Sequence, residues 1–370
     1  MATQANSVPH PILVDPDIPA YVTVKPGDVF KIQCVDWTGA QIGNNDCSDD
    51  IKDVDLTKVH NLSGPIAVEG AEPGDCLVVD ILDGSNSFEK MPWGYTGIFE
   101  LENGGGLFAK EFNSKAAKAI WDFKGIYATS RHIPGVRLIG TAPSAELLAT
   151  WNERETGLIS QHANAVPPVA FAPEPKGAYK IATEGARTIP GREHGGNCDI
   201  KNLSRVFVKG ANLSVGDLHF SQGDMSFCGA IENGVVTFST SIIKGGVEKF
   251  ALKQPIFLVS LRKTISVSEI YLLKVSYGDG KQYNMDATVA YKQAALNAIN
   301  YLMKVPREQA YLLLSAAPVE SHVGAMVDSP NACVTLALPL GIFEHDILPK
   351  EEGLKKLDFG QCAIRSDGIV

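Results

Sequence analysis

Short alternating runs dominate the first two thirds of the chain. Val22-Thr23-Val24 and Val29-Phe30-Lys31-Ile32-Gln33-Cys34-Val35 put an apolar side chain at roughly every second position, the period of a half-buried strand. Residues 76–81, 235–243 and 256–259 predict further strands. Two of these are entered by the same turn, Lys25-Pro26-Gly27-Asp28 and Glu72-Pro73-Gly74-Asp75. Proline presets φ and glycine accepts φ > 0, which suits the centre of a type II turn. Leu213-Ser214-Val215-Gly216-Asp217 is expected to lead into Leu218-His219-Phe220 in the same way, without the proline. Several β-edges entered by similar turns predict a sandwich or a barrel.

Helical spacing recurs in four places. Residues 113–121 predict a short helix capped by Asn113 or Ser114, and 144–162 a longer one carrying Leu147, Leu148, Trp151, Leu158 and Ile159. Asp286 is placed to cap a helix over 287–303, and Pro306 to open another through 308–316. The stretches 92–97 and 102–106 are predicted loops. Residues 36–50 read as an Asx-rich loop whose side chains bond their own backbone, or as a substrate-facing loop through amides such as Asn45. The whole is a β-rich α+β chain. Its strand-dominated portion runs over 1–265, and a smaller α+β portion over 266–370 packs on it as one structural unit.

Composition narrows the function. A net charge of -9, with no Lys/Arg block, excludes the phosphate-contacting surface of a nucleic-acid binder. The start Met1-Ala2-Thr3-Gln4-Ala5-Asn6-Ser7 lacks the basic and apolar regions of a signal peptide, and no run reaches the length of a membrane span. A cytoplasmic protein without membrane partners is expected. Cys34, Cys47, Cys76, Cys198, Cys228, Cys333 and Cys362 form no C-x-x-C pair, so neither a zinc ribbon nor a disulfide framework is predicted.

Candidate chemistry concentrates in Gly191-Arg192-Glu193-His194-Gly195-Gly196-Asn197-Cys198-Asp199 and Gly216-Asp217-Leu218-His219-Phe220-Ser221-Gln222-Gly223-Asp224. Imidazoles, carboxylates and amides there alternate with glycines that permit tight bends and close approach to a ligand. The plainer account is that His194 and His219 are hydrogen-bonded turn histidines and that Asp217 caps a turn, as Asp28 and Asp75 can. No Gly-x-Ser-x-Gly elbow and no P-loop is present.

These motifs, with Val68-Glu69-Gly70-Ala71-Glu72-Pro73-Gly74-Asp75, resemble the acetamidase/formamidase family. Trp121-Asp122-Phe123-x-Gly125-Ile126-Tyr127-Ala128-Thr129-Ser130-Arg131-His132-Ile133-Pro134-Gly135-Val136 and Tyr311-Leu312-Leu313-Leu314-Ser315-Ala316-Ala317-Pro318-Val319-Glu320 look like its formamidase branch. The resemblance implies hydrolysis of a short aliphatic amide, formamide foremost, to the carboxylic acid and ammonia. It also implies a jelly-roll-like β-sandwich core joined to a smaller α+β part, a homo-oligomer and a bound divalent metal. One departure is that Gly223-Asp224 runs into Met225 where the family pattern continues with Gly-Glu.

Under that resemblance His194, Asp199, His219, Asp217 and Asp224 are the candidate ligands for zinc or a harder cation such as calcium, with Glu232 a further donor. Glu193 or Glu232 would be the general base, and His194 and Asp199 complete the catalytic set. Asn197, Gln222 and Asn45 would bind the carboxamide, and the backbone at Gly195 and Gly196 the oxyanion. Two alternatives stay open. One is a Cys198-dependent amidase, although the neighbouring Asp199 opposes a thiolate. The other is a non-catalytic amide-binding or scaffold homologue.

Overall fold

A nine-stranded sheet forms the centre of the computed structural model, which describes residues 3–5, 13–14, 18–59, 61–83, 92–103, 108–124, 127–130, 140–141, 145–161, 186–188, 191–197, 203, 205–216, 219–222, 228–232, 235–258, 269–275, 277–278, 281–283, 285–302, 307–325 and 331–351. Its strand order is Thr3–Ala5, Val29–Gln33, Val235–Ile243, Cys76–Asp83, Arg205–Lys209, Ile256–Leu258, Glu269–Val275, Cys333–Pro339, Glu320–Ala325. Neighbours are antiparallel except the first pair. The sheet therefore holds strands from both sides of residue 266, Ile256–Leu258 pairing with Glu269–Val275.

Both faces of this sheet are covered, which is why its inner strands are apolar at successive positions. Leu77, Val79, Val206, Val208, Phe30 and Phe238 pack against Val24, Ile66, Val68, Leu213 and Val215 of a four-stranded sheet. The alternate residues Cys76, Val78 and Phe207 point the other way, into a layer with Ala294, Ala298, Ile299, Ala310 and Leu314 of the helices Ala287–Tyr301 and Arg307–Ala316. Ala294 and Ala298 are fully buried, so they let the helix lie close to the sheet. A larger side chain at either would overpack the layer by about 1–3 kcal/mol. Asp286 caps the first helix as expected, its Oδ1 accepting from Val289 N–H at 3.0 Å. The helix Ala145–Gln161 also falls where its spacing predicts. The β-rich α+β class is thus the observed one, and no helix among the described residues is long and apolar enough to cross a membrane.

The two Pro-Gly turns are built alike. Asp28 and Asp75 N–H donate to Lys25 and Glu72 O at 3.0 and 3.1 Å, with Gly27 and Gly74 at φ +87° and +96°. Each aspartate also accepts, through Oδ2, the N–H of the first turn residue at 2.9 Å. Gly216 differs from the expectation. It lies inside the strand Asn212–Gly216, opposite Leu62, where a Cβ would meet Asn61 O at 2.3 Å. Close strand approach, not a turn, requires glycine there.

Two further expectations are corrected in the five-stranded sheet His219–Gln222, Cys228–Glu232, Trp93–Ile98, Ala117–Lys124, Tyr127–Ser130. The expected helix at 113–121 is largely strand, with a single turn of helix, Ala109–Phe112, just before it. The expected loop at 92–97 is the strand it pairs with. Gly94 faces Trp121 in that register and Gly97 faces Lys118, so the glycines make room for large side chains across the ladder. Cross-strand pairing overrides the local helix propensity of Lys115 to Ala119. The Gly104-Gly105-Gly106 part of the second predicted loop lies outside the described residues.

The 36–59 segment closes over this sheet. Trp37, Ile42, Ile51, Val54 and Val59 pack on Tyr95, Phe99 and Ile120. Its polar side chains bond both the loop and the sheet beneath: Asp36 accepts from Thr38 N–H at 3.0 Å, Ala40 N–H at 2.8 Å and Tyr95 O–H at 2.7 Å.

Candidate active site

Residues 191–197 form a tight reciprocal turn. Arg192 N–H donates to Gly195 O at 3.1 Å, and Gly195 N–H to Arg192 O at 3.0 Å. Gly195 and Gly196 follow at φ +93° and +84°, a region that side chains make costly, so the double glycine is a backbone requirement. The His194 imidazole folds back over the second of them. A Cβ on Gly196 would lie 3.3 Å from both Cε1 and Nε2 of His194. Asn331 Nδ2 anchors the start of the turn by donating to Gly191 O at 2.9 Å.

The turn is polar and buried at once, with Arg192, Glu193, His194 and Asn197 between 3% and 7% exposed. Such a cluster persists only when its charges are matched. The helix Ala145–Gln161 supplies the match from one face, through Trp151 and Arg154 at i and i+3. Trp151 Nε1 donates to Glu193 Oε2 and Arg154 Nη1 to Glu193 Oε1, both at 2.6 Å. The Trp151 ring lies 4.6 Å from the His194 ring, tilted 48°, and the Arg192 guanidinium carbon is 4.8 Å from the indole centroid.

Burial and charge set the protonation states. Burial, with Arg192 and Lys209 nearby, brings the His194 pKa down to about 3 against the opposing Glu193 charge. The imidazole is therefore neutral at ordinary pH. Burial pushes the Glu193 carboxyl up, but the Arg154 charge and the Arg154 and Trp151 hydrogen bonds outweigh it and hold the group below its ordinary value. Burial lowers the Lys209 ammonium from its ordinary value, while Glu193 pulls the other way. Lys209 ends the strand Arg205–Lys209 and so places a half-buried cation in the field of the turn.

The other sequence candidates are distributed as follows. His219 and Glu232 are directly opposed on adjacent strands, and Glu232 is in turn opposite Tyr95. Gln222 pairs with Ala230 in the same ladder. For these two strands the backbone alone is described. Asp199, Asp217, Asp224 and Cys198 lie outside the described residues. Asn45 is exposed, and its Oδ1 accepts from Cys47 N–H at 2.9 Å and from Lys118 Nζ at 3.0 Å. These contacts tie it to its own loop and to the strand Ala117–Lys124. The Gly195 N–H is committed to Arg192, which leaves the Gly196 N–H as the glycine-pair donor to consider for an oxyanion.

Among the described residues no group of three or more His, Cys, Asp or Glu side chains is placed to hold a metal ion. His194 is the one candidate ligand whose side chain is described, and its neutral imidazole has the protonation state a metal ligand needs. Sequence reasoning missed three members of the cluster. Trp151 reads as an ordinary member of an apolar helix stripe, and Arg154 enters none of the sequence motifs. Their shared face was the available signal. Lys209 carried none beyond ending the apolar run Val206-Phe207-Val208.

Comparison with known proteins agrees on one group. The family model described as the Acetamidase/Formamidase family matches residues 6–345. A formamidase of Methylophilus methylotrophus is 50% identical over 371 residues, covering 92% of this chain and 91% of its own. An acetamidase of Mycolicibacterium smegmatis is 49% identical, covering 84% of this chain and 86% of its own. The solved structure of a gamma lactamase from Delftia acidovorans is 48% identical with a TM-score of 0.61, covering 94% of this chain and 93% of its own. A predicted acetamidase/formamidase from Thermoanaerobacter tengcongensis, 20% identical with a TM-score of 0.66, covers 93% of this chain and 98% of its own and shares the fold.

Proposed function

Because this chain belongs to the acetamidase/formamidase family, we propose that it hydrolyses a short aliphatic amide, formamide foremost, at the turn 191–197. The observation that carries the reading is the buried His194 imidazole folded over Gly196 in a chain half identical to a formamidase.

Amide resonance, the same that keeps peptide bonds planar, makes the carbonyl a poor electrophile. Hydrolysis needs an activated water or side chain, donors for the oxyanion and a proton for the departing nitrogen. In this reading the Gly196 N–H and the Asn197 amide orient the carbonyl. The pinned imidazole of His194 holds its lone pair in one direction. The positive charges of Arg192 and Lys209 favour the negative charge that develops on the carbonyl oxygen, more strongly in a site from which water is excluded. Gln222 and Asn45 remain candidates for the carboxamide. Glu232, opposite His219, remains the candidate base from the strand Cys228–Glu232.

The reading includes a divalent metal, zinc or calcium, held by His194 with Asp199, His219, Asp217 and Asp224. Such an ion, when bound, polarises a carbonyl and lowers the pKa of a coordinated water. A jelly-roll-like sandwich, a cytoplasmic location and a homo-oligomeric state belong to the same reading.

A second substrate class follows from the 48% identity to a gamma lactamase, since a γ-lactam is a cyclic amide. The test is a panel of formamide, acetamide, propionamide, urea and a γ-lactam. Ammonia is measured for the linear substrates and the free amine for the lactam, with metal content determined on the same preparation. Fastest turnover of formamide is expected. No product from any member, with zinc and calcium both supplied, would sink the proposal.

A further inference from the structure

One side chain touches three consecutive residues of the turn. The Trp151 indole lies against the Arg192 guanidinium, hydrogen-bonds Glu193 and packs on the His194 ring. It is 1% exposed and comes from a helix rather than a loop. Arg154, on the same helix face, takes the other oxygen of Glu193. From this geometry we infer that Trp151 and Arg154 are positioning residues of the amidase site, fixing the His194 imidazole through the turn and making Glu193 their anchor rather than the general base.

The argument begins with the glycines. Gly195 and Gly196 at positive φ permit the bend that brings His194 back over the chain, but glycine also leaves a backbone pliant. A site that must hold a reacting group to within a fraction of an ångström needs the pliancy removed by something outside the turn. Tryptophan suits this task, being large and rigid with two side-chain torsions. Glu193 is the handle. Each of its oxygens accepts a hydrogen bond at 2.6 Å, and the residue is 6% exposed. A general base must reach a water or substrate proton within hydrogen-bond distance, whereas this carboxylate is directed into the helix. The neighbouring imidazole is what the helix holds in place.

The inference rests on the amide-hydrolysis reading, and the experiment separates the two. Trp151→Phe, Trp151→Leu and Glu193→Gln are made in the full-length protein and assayed with formamide across pH. In parallel the histidine ring signals of 13C-histidine-labelled protein are recorded, with that of His194 assigned by its loss in His194→Gln. Trp151→Leu is expected to lower kcat and kcat/KM together by about 100-fold, the scale of a sub-ångström to ångström misplacement. Trp151→Phe keeps a ring against His194 and should fall less. Glu193→Gln keeps an acceptor for the indole, so about a tenfold loss is expected with the acid limb of the pH profile where it was. The His194 signal should shift in Trp151→Leu, as the indole ring current is removed, and less in Trp151→Phe.

Loss of the acid limb in Glu193→Gln, with a fall of about 1,000-fold or more, would make Glu193 the base and overturn the inference. So would wild-type kcat in Trp151→Leu, or an unmoved His194 signal. A lowered melting temperature with unchanged kcat in the folded protein would reduce the clamp to a structural role. If Trp151→Leu does not fold, Trp151→Phe and Glu193→Gln still decide. A wild-type protein that releases no product overturns the amidase reading, and the histidine signals then decide the clamp by themselves.

Discussion

Lys118 Nζ lies 2.7 and 2.9 Å from the two carboxylate oxygens of Asp50, on a side chain that is 1% exposed. The same ammonium donates to Gly43 O at 3.1 Å and to Asn45 Oδ1 at 3.0 Å. This four-oxygen cradle fastens the polar 43–50 loop to the strand Ala117–Lys124. Lys118→Met leaves Asp50 without its cation and is expected to cost about 3 kcal/mol, the scale of breaking a buried pair by removing one partner. Adding Asp50→Asn should recover part of the loss. Chemical denaturation of the single and double variants gives the coupling, and strictly additive losses would show that the pair is not a unit.

A second network makes a pH prediction. Asp75 accepts from Glu72 N–H, Gly245 N–H and Lys244 Nζ at 2.9, 2.9 and 2.8 Å, so one carboxylate ties the Pro-Gly turn to the turn after the strand Val235–Ile243. Burial alone would raise this carboxyl. The Lys244 and backbone hydrogen bonds and the Lys244 charge outweigh it and leave the pKa below the ordinary value. A carboxyl depressed in the folded state binds its proton more readily when unfolded. Its contribution is therefore complete above the unfolded pKa of about 3.9 and disappears as pH falls through the folded value. Asp75→Asn should cost about 2 kcal/mol at pH 7. The gap to wild type should close below about pH 4. A gap that stays constant to pH 2 would mean that the carboxylate charge contributes nothing.

Glycines at the two kinds of close position should behave differently. Gly74 needs only its φ of +96°, since a Cβ there meets nothing within 4 Å. Gly74→Ala should cost about 1–2 kcal/mol, the strain of the left-handed region. At Gly216 a Cβ would sit 2.3 Å from Asn61 O and 2.9 Å from Leu62 Cα, both backbone atoms that cannot step aside. Gly216→Ala should cost about 3 kcal/mol or reduce soluble yield. Equal losses by urea denaturation would refute the distinction.

What could be read in advance was local. The Asp286 cap reaches Val289, three residues on, and each Pro-Gly turn closes within four residues, so short sequence windows contain the whole cause. The strands Trp93–Ile98 and Ala117–Lys124 were illegible because each makes sense only through the other. Gly94 looks like a loop residue until Trp121 is set across from it. The same division runs through the site. His194-Gly195-Gly196 is visible because the bend demands those glycines where they stand. The Trp151–Glu193 contact joins residues 42 apart in sequence, and nothing near either one announces the other.

The metal-assisted and thiol readings of amide hydrolysis diverge at adjacent parts of one motif. Cys198 as nucleophile would need its thiolate, and Asp199 beside it disfavours that ion. His194 needs only its neutral imidazole, which burial already enforces. His194→Ala is therefore expected to lower formamide turnover by about 100-fold to 10,000-fold, the range for loss of a positioned acid–base or ligand group. Cys198→Ala should cost less than about tenfold. Chelation followed by readdition of zinc or calcium should remove and restore activity in wild type and Cys198→Ala alike, read as ammonia released at fixed protein. The opposite ranking, with Cys198→Ala inactive and chelation without effect, would transfer the chemistry to the thiol and leave His194 as its partner.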